Sequence, residues 1–178
     1  MKLRWRRLIA MLAVSCCAVA AWADGDLEQR LRAASLPTTP SAQLVELSKD
    51  SDWEVRQRVA RNRRSPPALL DALASDPHPQ VRIGVATNLA TEEATFIKLA
   101  RDQDPDVRSV VARFEYAPVP ALKVLAHDPS AEIRLEVART WNVTPEILRE
   151  LTGDEDPQVR TTAELTLEKL AQEQQEAK

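Results

Sequence analysis

Past residue 17 the chain contains no cysteine, so the sequence beyond its first segment offers neither a disulfide nor a thiolate metal ligand. Glycine is almost missing, with three in 178 residues, which argues against a β-rich fold built on tight turns. Aromatic residues make up only 4%, so a core must come from Leu, Val, Ile and Ala. There are two histidines, His78 and His127, each placed where a helix boundary is expected. No zinc-ligand spacing, phosphate loop or activated-serine motif occurs. Acidic residues are abundant, but abundance alone does not make an acid–base pair. The expectation is a protein that is not an enzyme and has no catalytic, metal or cofactor site. What the chain does have is a wealth of good helix formers (Ala, Leu, Glu, Arg and Gln) and a length suited to one domain.

One long apolar run is present, and it stands at the start. Lys2, Arg4, Arg6 and Arg7 precede sixteen uncharged residues, 8–23, which end in Ala21, Trp22 and Ala23. A positive start, a short apolar stretch and a small-x-small ending form the pattern of a secretory signal peptide. The run is short of the ~20 residues that span a bilayer. Residues 1–23 are therefore read as a leader cleaved near Ala23, giving a periplasmic or secreted protein with no stable membrane span. An uncleaved anchor, or lipidation at Cys16 or Cys17, is the alternative. Cleavage removes four basic residues and no acidic ones, leaving 20 basic against 27 acidic, a net charge of −7. That balance disfavours nucleic acid as a partner.

The rest of the chain repeats. Val55-Arg56, Val81-Arg82, Val107-Arg108, Ile133-Arg134 and Val159-Arg160 recur every 26 residues. Asp50, Asp76, Asp102, Asp128 and Asp154 keep the same period, each six residues before its arginine. So do Leu47, Leu73, Leu99, Leu125 and Leu151, and so do Val59, Val85, Val111 and Val137, with Ala163 closing that series. Five units follow: 39–64, 65–90, 91–116, 117–142 and 143–168. Residues 24–38 are an N-terminal capping segment with a helix over 26–34, and 169–178 are a frayed polar tail.

Within a unit the apolar spacing is helical and not alternating. The first helix carries Leu70 and Leu73 in unit 2; Ser65-Pro66 and Thr144-Pro145 look like an N-cap followed by proline at the first helical position. The second helix starts at Asp52, His78, Asp104, Ser130 or Asp156. Its inward face reads Val81, Val85 and Leu89 in unit 2, and Ile133, Val137 and Trp141 in unit 4, which places Leu89 and Trp141 in the core; a stacking platform is the alternative reading of Trp141. Ala60, Ala86, Ala112 and Ala138 allow close helix approach, and Glu164 in that series marks a polar end to the stack. Helices this short are marginal alone, so neighbouring units must stabilise one another. The predicted architecture is all-α, a short α-solenoid of five two-helix repeats with terminal capping helices.

The stretch Pro67 to Arg82 resembles HEAT-like repeats, and Val-Arg-x-x-Val-Ala-x-Asn at 55–62 and 81–88 resembles the leucine-rich repeat variant branch. The likeness covers about 130 residues; units 3 to 5 depart from it with Phe114, Thr140 and Thr166 in the Asn position. It implies a helical superhelix and is nearly silent on function. The cysteine cluster of some variant-repeat proteins and the His-Glu pairs of HEAT-like metal oxygenases are missing from this sequence, so those cofactors are not carried over. The resemblance also implies a ladder in which Arg56, Arg82, Arg108, Arg134 and Arg160 bridge the aspartates of adjoining units.

The outward positions of the second helices are the expected partner-binding face: Arg58, Arg61, Ile83, Gly84, Val110, Arg113, Leu135 and Arg139. Apolar residues where solvent is expected, edged by arginine, suit a protein or peptide partner. Arg56, Arg58, Arg61, Arg63 and Arg64 form a second basic run. Trp53 either covers the N-terminal end of the stack or serves binding, and Phe114 with Tyr116 makes a partly buried aromatic edge. The leading function is an exported scaffold or adaptor that binds a protein or peptide. A HEAT-like lyase or cofactor-attachment accessory, and a purely structural envelope protein, are the alternatives.

Overall fold

The computed structural model describes residues 26–176. The leader, its cleavage point and both cysteines lie outside the described residues. Among those described there are eleven helices and no strand: α1 (Leu27–Ser35), α2 (Ser41–Leu47), α3 (Trp53–Arg61), α4 (Pro67–Leu73), α5 (Pro79–Ala86), α6 (Glu93–Leu99), α7 (Pro105–Arg113), α8 (Val119–Leu125), α9 (Ala131–Arg139), α10 (Pro145–Leu151) and α11 (Pro157–Glu176). Even-numbered helices are the first helices of the units, and odd-numbered helices from α3 onward are the second. No described helix is long and apolar enough to cross a membrane.

The helix starts follow from the sequence. Asp52, Asp104 and Asp156 accept the backbone N–H two residues on, at 2.8–2.9 Å. His78 performs the same service through Nδ1 toward Gln80 N at 3.3 Å. Each such bond satisfies one of the donors a helix start leaves unpaired. Ser130 stands at the N-cap of α9 without a side-chain cap bond. Thr144 caps α10 with Pro145 at the first turn, as expected. Unit 2 differs: Pro66 is the N-cap of α4, and the Ser65 hydroxyl donates to Val59 O at 2.6 Å instead.

The core is the set of periodic apolar positions. Val55, Val81, Val107 and Val159 are fully buried, as are Val59, Val85, Val111 and Val137, with Leu44, Leu70, Leu99 and Leu122 facing them from the first helices. Each such side chain contributes about 1.5–3 kcal/mol of transfer free energy. The odd-numbered layer is the more closely stacked of the two, so the rod bends with the second helices on its inner, concave side. The tightest seam lies between α3 and α5. A Cβ at Gly84 would stand 2.9 Å from Ala60 Cβ and 3.2 Å from Gln57 O, so the missing side chain is what lets the two helices meet.

Two expectations are corrected at the helix ends. α5 stops at Ala86 and α9 at Arg139, so Leu89 and Trp141 lie past the last turn and cannot join the inward face. They are 57% and 68% exposed. At the C-terminal end α11 continues without a break to Glu176. At the other end α1 does cap the stack, with Ala33 and Ala34 buried against unit 1.

Candidate functional site

The polar repeats divide into those that hold units together and those left open to solvent. The ladder belongs to the first kind. Arg56 grips Asp76 of the next unit with Nε at 2.6 Å and Nη2 at 3.0 Å. Arg82 grips Asp102 (2.6 and 2.8 Å), Arg108 grips Asp128 (2.6 and 3.2 Å) and Arg134 grips Asp154 (2.7 and 2.9 Å) in the same way. Each arginine reaches back with Nη1 to the backbone carbonyl, not the carboxylate, of the aspartate six residues before it, at 2.8 Å in all four. Each carboxylate also accepts the N–H two residues on, as Asp76 does from His78 at 2.9 Å. One residue pair thus ties a turn, a helix start and the neighbouring unit together. Arg30 of α1 supplies the first rung to Asp50. Arg160 makes the backward bond to Asp154 O at 2.6 Å and meets no carboxylate among the described residues.

The electrostatics agree with an internal role. Arg56, Arg82, Arg108 and Arg134 are held even more firmly protonated than usual, first by the hydrogen bond to aspartate, which outweighs burial. Asp154 is held below the ordinary carboxylate range chiefly by its bond from Arg134. Burial pulls Asp76 upward most strongly. The Arg56 bond, the His78 N–H and the Arg56 charge together outweigh that pull, and the net direction is down.

Further staples were not foreseen. Asn62 Nδ2 donates to Ala34 O and Leu36 O, and Asn88 Nδ2 to Ala60 O and Asn62 O, at 2.6–3.0 Å. Thr39, Ser65 and Thr91 hydroxyls donate to Ala33, Val59 and Val85 carbonyls at 2.6–2.7 Å. These residues follow the same 26-residue period and could have been found by it. The asparagine series changes in unit 3 and the hydroxyl series in unit 4. Phe114 takes the Asn position and stacks on Phe96 at 5.5 Å, with Tyr116 edge-on at 5.8 Å. Ala117 and Val143 take the hydroxyl position.

The expected partner-binding face is only partly a surface. Ile83 and Gly84 are buried in the seam beneath α3 and are not available to a partner. Val110 and Leu135 are half-buried against the core. Arg58, Arg61, Arg113 and Arg139 are exposed. Arg58 bonds the Ser35 hydroxyl at 3.2 Å, and none of the four pairs with a carboxylate among the described residues. Of the other basic run, Arg56 is a rung while Arg63 and Arg64 are exposed. Trp53 is half-buried and stacks on His78, centroids 4.1 Å apart and planes within 7°.

Trp141 is the feature that sequence reasoning misplaced. Its indole N–H donates to Glu115 O in unit 3 at 2.8 Å, which fixes the ring across the boundary of units 3 and 4. An open cavity of about 330 Å³ adjoins it, walled by Arg113, Arg139, Glu115, Glu136 and Thr140. Among the described residues no group of three metal-ligating side chains gathers. Glu146, the one shifted acid outside the ladder, is lowered first by a backbone N–H at its own helix start.

No family model matches the chain, and no curated protein does. A solved structure does: one described as a leucine-rich repeat variant with a novel repetitive protein structural motif. It is 33% identical with a TM-score of 0.64, over 81% of this chain and 57% of that one. The chain thus spans a little over half the length of the protein it matches.

Proposed function

From the premise that this chain is a leucine-rich-repeat-variant-like α-solenoid, we propose that it is an exported, non-enzymatic scaffold whose concave side binds a protein or peptide. The carrying observation is the contrast between two sets of arginines. Arg56, Arg82, Arg108 and Arg134 of the ladder are buried or half-buried and paired with aspartate, while Arg58, Arg61, Arg113 and Arg139 lie open on the second helices without carboxylate partners among the described residues. In a chain that is net acidic, four open guanidinium groups on one layer are a feature that folding does not require. Arginine and tryptophan are the residues that most often dominate the energetics of protein contacts. The non-enzymatic reading is supported by the shifted groups: apart from Glu146 they belong to structural rungs, whereas catalytic sites usually own such groups. The exported reading rests on residues 1–23.

A single experiment tests both halves. The full chain is produced with its leader and carries a photo-crosslinking residue at position 58, 110 or 139 on the concave layer, or at 68, 94 or 123 on the first helices. The form recovered outside the cytoplasm should begin at Asp24 and should crosslink to a polypeptide from the first three positions only. An intact Met1, or equal crosslinking from both layers, counts against the proposal.

A further inference from the structure

We propose that Trp141, Arg113 and Arg139 form a seat for an extended acidic polypeptide segment in which an apolar residue is flanked by carboxylates. The inference rests on the scaffold reading and narrows it to one place and one ligand chemistry.

The seat is built and not merely exposed. Trp141 is 68% accessible, yet the ring is tied down by its bond to Glu115 O. That bond occupies the only polar atom of the indole, so what remains to a partner is an apolar face held still. Fixing it before binding lowers the ordering cost that association otherwise carries. Arg113 and Arg139 occupy equivalent positions at the ends of α7 and α9, one helix spacing apart, about 8–10 Å. Both open into the cavity beside the indole, and neither has a carboxylate partner among the described residues.

Ligand chemistry follows from the wall. A guanidinium fork matches a carboxylate in bidentate fashion, and this chain makes that match four times in its own ladder. Side chains of an extended chain alternate between faces, so two carboxylates four residues apart share one face and stand about 13 Å from one another, within reach of two long arginine side chains rooted about 8–10 Å apart. The residue midway between them shares that face and meets the indole. Glu115 and Glu136 lie in the same wall. They set the seat against a dense, unbroken array of negative charge, such as a sheet of lipid headgroups, and favour a polypeptide whose acids are spaced apart.

The test uses the full chain and a fluorescein-labelled extended peptide with Glu, Ser, Leu, Ser and Glu in that order, beside analogues with Gln or Lys for both Glu. Fluorescence anisotropy should show the acidic peptide bound at least tenfold more tightly than the Gln analogue, with affinity falling as salt rises. Trp141→Ala, and separately Arg113→Gln with Arg139→Gln, should each weaken it tenfold or more while thermal melts stay unchanged. Arg113→Glu with Arg139→Glu should transfer preference to the Lys analogue. Equal binding by parent and Gln double variant overturns the seat, as does stronger retention on phosphatidylglycerol vesicles or on an oligogalacturonate than on the peptide. If the seat variants lose nothing while concave-layer crosslinks persist, the seat fails and the scaffold reading stands.

Discussion

Replacing Arg82 with alanine is expected to destabilise the fold by about 3–5 kcal/mol, the cost of breaking a buried ion pair from one side. Arg82 and Asp102 are the most enclosed rung, each with 6% side-chain exposure. Without the guanidinium, Asp102 keeps only the Asp104 N–H, and the Asp76 carbonyl loses its donor. For a domain of about this size the loss corresponds to roughly 6–20 °C in melting temperature, read by circular dichroism. The same substitution at the more open Arg30 rung, with 18% exposure on the arginine side, should cost less. Equal and small losses at both positions would show that the ladder is solvated decoration. Acid probes the same rungs without mutation. Asp76 and Asp154 are depressed in the folded state, so their stabilisation is fully present above the unfolded carboxylate value of about 4 and is lost as pH falls through the folded value. Melting temperature should therefore hold level from pH 7 down to about 5 and drop below about 4.

The second large effect is expected at Gly84. Leucine there must find room where a Cβ alone would approach Ala60 Cβ to 2.9 Å and Gln57 O to 3.2 Å. Neither obstacle is the free end of a flexible chain, so α3 and α5 must part. Overpacking of this kind costs typically 1–3 kcal/mol and sometimes more. Alanine is the revealing intermediate. It gains about 1 kcal/mol of helix propensity over glycine yet meets the same close contact, so its melt should lie between those of the parent and the leucine variant. Moving the gap to the other helix, by Ala60→Gly with Gly84→Ala, should recover part of the alanine loss. A leucine variant that melts with the parent would mean that the seam is looser than described.

Gly84 also shows where sequence reasoning reaches its limit. The 26-residue period, the two helices per unit, the starts of the second helices and the rungs were legible, because each repeats and each has a local or nearest-unit cause, whereas the cap expected at Ser65 gives way to Pro66. Ile83 and Gly84 fall on the outer side of α5 considered as an isolated helix. They are buried because α3 comes unusually close, and the distance between helices is not encoded in the periodicity of either one. Leu89 and Trp141 were misplaced for a different reason. They continue the i, i+4, i+8 series correctly, but the helices end three and two residues earlier, at Ala86 and Arg139, and the chain turns them outward. The open arginines at 58, 61, 113 and 139 were legible as a face. Their grouping with Trp141 was not, because it depends on that turn. The asparagine and hydroxyl staples were visible as columns and went unused, since nothing in a single unit shows which carbonyl of the neighbour they reach.

The rungs have a bearing on how such a chain can change length. Arg56, Arg82, Arg108 and Arg134 each find an aspartate 20 residues ahead inside a period of 26. If a whole unit is excised between Arg82 and Asp128, the arginine meets the next aspartate at the same interval and the hydrogen-bond register closes again. Losing a single residue from a turn puts one rung out of phase and strands a buried carboxylate. Length in this molecule is therefore quantised: the physics that welds neighbours together also makes whole repeats the natural unit of gain and loss.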